Sequence, residues 1–229
     1  MKWLLWKDYR HNRIILLLGL GFLLVPHLFA LYALHRQASQ SWGMQHPWQY
    51  AFGVSSYAGL LISLLTIALI AGSAIAGERV DRSAEFLASL PIARRTIVAS
   101  KLVLVMTIAA VIWATDGALF GCLAAADSPE MGRLFPDWQK GLAMFAAVGL
   151  AISGIAWLFS SLTTSPMLSV WAGMVSPPAI IGGTAYMNHL FELRMSDDQL
   201  GLFCAGICLT LGIAGFIAGT WYYLRRVEP

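Results

Sequence analysis

Eight of the chain's 27 charged side chains fall within residues 77–101, GERVDRSAEFLASLPIARRTIVASK. Elsewhere ionisable groups are sparse, and no arrangement that performs catalysis is present. The five histidines lie on separate segments, and neither a metalloprotease HExxH nor a nucleophile-elbow GxSxG occurs. A GxxxxGK[ST] phosphate cradle is also missing, so nothing in the chain is expected to hydrolyse ATP. Cys204 and Cys208 are four apart, which suits one helix face and neither a redox CxxC nor a zinc site. With Cys122 they read as small apolar packing residues. Asp116 is the one acidic residue well inside an apolar run. A carboxyl group in hydrocarbon is costly and by default marks a functional position. It lies ~22 Å beyond Lys101 at 1.5 Å per residue, towards the far side of a membrane. His27, beside Pro26, reads as a packing histidine, and Trp113, Trp157 and Trp171 read as packing or interface anchors. An intramembrane hydrolase needs paired acids or histidines; with Asp116 alone, the enzyme class is excluded.

The elements that must position these residues are membrane helices. The chain is 58% apolar, only 12% charged, and has a mean hydropathy of +0.68, whereas soluble domains carry about 25% charge. Six apolar runs reach the roughly 18 residues that span a hydrocarbon core: 14–34, 51–76, 102–123, 141–160, 167–187 and 201–224. Backbone polar groups in lipid must be satisfied internally, which selects helices. The period-2 alternation of a membrane barrel is absent. The expected fold is therefore all-α, one membrane domain over residues 1–229 with six transmembrane helices and no internal repeat.

Basic residues fix the orientation. Eleven Lys and Arg flank one set of helix ends: Lys2, Lys7, Arg10, Arg13, Arg79, Arg82, Arg94, Arg95, Lys101, Arg225 and Arg226. Only Arg36, Arg133, Lys140 and Arg194 flank the other. Both termini are expected in the cytoplasm, and the net charge of +3 is a topology signal rather than a sign of nucleic-acid binding. The first apolar stretch is too long for a signal peptide's core and is read as a retained span.

Residues 1–13, MKWLLWKDYRHNR, mix aromatic and basic side chains and suit an interfacial helix on the inner leaflet; a plain charged start to the first span is the alternative. The outer connections 35–50, 124–140 and 188–200 are too short for an external domain. Pro177 and Pro178 should break the fifth run. Residues 179–190 would then form a tilted or re-entrant piece, making Pro177 and Pro178, with Asp116, candidates for a substrate pathway. Gly117/Gly121 and Gly215/Gly219 have GxxxG spacing, which serves contacts within a chain as readily as between chains.

In the charged loop, Val80, Ala84 and Leu87 fall at i, i+4 and i+7, an apolar helical stripe. Glu78 and Arg82 are spaced for a helical ion pair. Leu90 is biased away from helix by Pro91, and Pro91 suits the first position of a new helix running into the third span. Composition leaves two readings open here, a solvated connector and a docking element.

The same stretch resembles the cytoplasmic signature of type-2 ABC transporter permeases, roughly E-R-x-x-G-T-x-E-x-L-L-x-x-P-x-x-R with a basic residue opening the next span. Glu78, Arg79, Glu85, Leu87, Pro91, Arg94 and Lys101 fall on it in register, with Ser83 in place of threonine. Arg82 stands where glycine is usual and Ala88 where leucine is usual. The short loop Phe159-Ser-Ser-Leu-Thr-Thr-Ser165 lacks the basic residue that relatives carry there. The resemblance implies a coupling helix between spans 2 and 3 that docks on a separate ATP-binding subunit through Glu78, Arg79, Arg82, Ser83, Glu85, Phe86, Leu87, Leu90, Pro91 and Arg94. It also implies ATP and Mg in that partner rather than in this chain, a second permease subunit, a multi-pass location in the cell's inner membrane, and export as the usual direction. A haem-exporter-type permease of cytochrome maturation and a non-transporting anchor or regulatory subunit for an ATPase are the other readings.

Overall fold

The computed structural model describes residues 2–37, 47–81, 87, 92–124, 138–192 and 195–226. Six long helices follow in order: α1 Lys2–Gln37, α2 Pro47–Val80, α3 Arg94–Ala124, α4 Trp138–Leu162, α5 Pro166–Leu190 and α6 Asp197–Arg226. No strand occurs among the described residues. Five helices, all but α5, are long and apolar enough to cross a membrane. The fifth expected span, 167–187, is present as a helix, but two prolines and interspersed Gly, Ser, Thr, Asn and His keep α5 from matching the others in hydropathy.

The core runs along α2, α3 and α4 and is filled by Leu23, Ile67, Ile70, Val105, Ile112, Trp157 and Phe216. Close approach between α4 and α6 depends on glycine. A Cβ at Gly154 would collide with the Gly212 backbone, and one at Gly215 would sit 2.5 Å from the Gly154 carbonyl. Gly219 packs against Trp157 and Leu158 in the same way. The Gly215/Gly219 pair thus works inside the chain, while Gly117 meets nothing within 4 Å. Trp157 is fully buried and its indole N–H donates to Thr220 Oγ1 (3.3 Å). Cys204 and Cys208 are buried and free.

Two expectations are corrected. Residues 1–13 are not a separate interfacial helix, because α1 is continuous from Lys2 to Gln37, ~54 Å against a hydrocarbon core of about 30 Å. Nothing in its first 24 residues stops a helix, and Lys7 and Asp8 tie its first turns to α2 and α3. Pro177 and Pro178 do not break the fifth run either. The bond that Pro177 cannot donate to the Gly173 carbonyl is replaced by Ser176 Oγ, which donates to that oxygen at 2.7 Å.

Candidate functional site

The ends of α1, α2 and α3 that flank the charged loop meet in one ionic node. Glu78, in the last turn of α2, receives two ammonium groups: Lys7 Nζ of α1 at 2.8 Å and Lys101 Nζ of α3 at 2.8 Å. Lys101 also lies 3.5 Å from Asp8 Oδ1 of α1. Lys101 is only 5% exposed and Asp8 6%. Two acids and two bases alternate, so each buried charge faces an opposite one. Removing Lys101 strands Asp8 and halves the pairing of Glu78, which is why such a node locks three helices together. Asn12 donates to the Asp8 carbonyl at 2.9 Å and its Oδ1, buried without a partner, lines a polar cavity of about 40 Å³ beside the node. That volume and lining suit ordered water.

A second fastening joins α2 to α4. Arg79 donates from Nη1 to the Thr163 carbonyl (3.0 Å) and from Nη2 to the Ser161 carbonyl (2.7 Å). These carbonyls belong to the end of α4, where no backbone N–H follows to satisfy them. A guanidinium there caps the helix and complements its dipole. One turn before Arg79 on α2, the backbone N–H groups of Ile75 (3.0 Å) and Ala76 (2.9 Å) donate to Ser160 Oγ, so α4 reaches into the hydrogen-bond ladder of α2. The loop after α4 carries no basic residue of its own; Arg79 supplies the cation from across the bundle. Ser165 then caps α5 by accepting from Leu168 N–H (3.4 Å).

A third contact is apolar. Leu4 of α1, Leu87 of the loop and Ile97 of α3 form a buried cluster, with Ile92 packed against it. Leu87 is 3% exposed, so it pins the loop to α1 and α3 and offers no surface. Val80, Asp81, Ala93, Arg94 and Arg95 are exposed around this cluster. His11 and Asp81 add an exposed pair at 3.8 Å.

Of the residues singled out in the sequence, Glu78, Arg79, Leu87 and Arg94 thus come together at this end. Arg82, Ser83, Glu85, Phe86, Leu90 and Pro91, and with them the coupling helix, lie outside the described residues. Asp116 is buried far along α3, and Pro177 and Pro178 lie within α5, so neither joins this node. Lys7, Asp8, Ser160 and Leu4 were not anticipated. The polar pair Ser160–Ser161 closing an apolar run, and an Asp amid basic residues at the N-terminus, were the available signals. Among the described residues no group of three or more His, Cys, Asp or Glu side chains is placed to hold a metal ion.

Residues 5–176, about three quarters of the chain, match the family model described as ABC-2 family transporter protein. No curated protein and no solved structure matches. With a helical bundle of several membrane-crossing segments and a charged node on the segment that carries the permease signature, the chain belongs to the ABC-2 transporter family, a multi-pass membrane subunit of an ABC transporter.

Proposed function

We propose that this permease subunit works as an exporter driven by a separate ATP-binding subunit, which docks on the cytoplasmic loop at residues 77–101. The observation that carries this reading is the convergence of three fastenings on that loop. A force applied there reaches α1 through Leu4 and Leu87, α3 through Lys101, and the end of α4 through Arg79. Such wiring suits transmission of a mechanical stroke. The chain itself supplies no phosphate cradle, so ATP and Mg belong to the partner. Two permease subunits, alike or closely related, would pair in the inner membrane with both termini in the cytoplasm, as the basic flanks favour.

The docking surface in this reading is the exposed rim and not the buried Leu87. Arg94 and Arg95 are exposed on the first turn of α3. Arg94→Glu with Arg95→Glu should leave the chain folded and reduce recovery of the ATP-binding subunit in a pull-down from membranes by at least ~10-fold, the scale of one or two interfacial charge pairs. Undiminished recovery would overturn the assignment of this surface.

A further inference from the structure

Asp116 lies fully buried on the inward face of α3 at 0% exposure, and neither carboxylate oxygen has a hydrogen-bond partner. One turn earlier, the indole N–H of Trp113 is buried and also without an acceptor. Opposite Asp116 is the seam between α1 and α2: Oδ1 lies 3.8 Å from the Cβ position of Gly59, which is itself 3.1 Å from the Leu23 carbonyl. The polar side chains of that seam are engaged elsewhere. His27 Nδ1–H donates to the Leu23 carbonyl (3.2 Å), and Nε2 is hydrogen-bonded to Ser56 Oγ (3.3 Å). Among the described residues no cationic side chain pairs with Asp116.

A buried carboxylate without a donor is costly, and a leucine there would be free of that cost. A group that brings both positive charge and N–H donors relieves it. We propose that Asp116 is the recognition point for the ammonium head of a cationic amphiphile, with the Trp113 ring beside it. The proposal rests on the transport reading only in taking this amphiphile as cargo. The way in is along α1, whose Leu17, Leu28 and Phe29 are exposed on the bilayer side. Pro26 deprives α1 of one ladder bond next to the seam, so bending there separates α1 from Gly59 and uncovers the carboxylate.

The test uses the full chain in phosphatidylcholine nanodiscs, with dodecylammonium as probe and dodecanol as its neutral counterpart. Asp116→Asn, close to isosteric, should weaken dodecylammonium binding ~10-fold and leave dodecanol binding unchanged, since one buried charge pair distinguishes the two probes. A second readout needs no variant. Dicyclohexylcarbodiimide modifies carboxyl groups in apolar surroundings, and dodecylammonium should slow its labelling of Asp116, followed by mass spectrometry, where dodecanol does not. Equal binding by wild type and D116N, or equal protection by the two probes, would mean that the site takes a proton only and would overturn the proposal. Neither measurement involves an ATP-binding subunit, so a negative result leaves the docking reading intact, and failure of the Arg94/Arg95 pull-down leaves this one intact.

Discussion

Lys101 and Asp116 sit on the same helix, 15 residues apart, and both are charged-type side chains almost removed from solvent. Their surroundings are opposite. Lys101 has Glu78 at 2.8 Å and Asp8 at 3.5 Å, with Lys7 completing the alternation. Asp116 faces Gly59 and neither of its oxygens has a hydrogen-bond partner. The same burial therefore means different things at the two sites. A fully paired charge is part of the frame, and its removal damages the fold. An unpaired one adds nothing to the fold, and its retention points to a ligand.

This contrast can be broken by substitution. Lys101→Met should lower unfolding stability by about 3–5 kcal/mol, because Asp8 is left buried and uncompensated and Glu78 keeps only Lys7 of the node's two ammonium groups; denaturant or thermal unfolding of the purified chain reads this. Arg79→Ala should cost about 1.5–3 kcal/mol through the lost charge-assisted bonds to the α4 carbonyls, with faster amide exchange at residues 163–168. Asp116→Leu should cost nothing or stabilise by about 1 kcal/mol, as apolar replacement of an unpaired buried charge does. A loss comparable to that of Lys101→Met would erase the distinction. His11→Ala should change stability by less than about 1 kcal/mol and not at all in high salt, since its pair with Asp81 is solvent-exposed.

Much of the architecture was legible in the sequence because long apolar runs between charged segments leave the backbone no choice but helix. Each of the six runs falls within or along one observed helix. The two misreadings share one cause: backbone propensity and composition were applied where a side-chain contact compensates. Pro177 is a helix breaker by propensity, yet Ser176 takes over its missing bond. The N-terminal arm has the composition of an interfacial helix, yet Leu4, Lys7 and Asp8 are claimed by α2, α3 and the loop. The candidate site was half legible. Register with the permease pattern singled out Glu78 and Arg79, but not that both face inward on other helices, since pairing across 71 or 84 residues leaves no periodic trace. Leu87 illustrates the limit most plainly. Its place on an apolar stripe suggested a partner, and the partner is the chain's own α1.

The docking of an ATP-binding subunit at the charged end is tested most directly by photo-cross-linking in the assembled transporter. A cross-linker at Ala93, exposed beside Leu87, should capture the ATP-binding subunit, while one at Ser196, exposed ahead of α6, should not. Capture from residue 196 without capture from residue 93 would contradict the account.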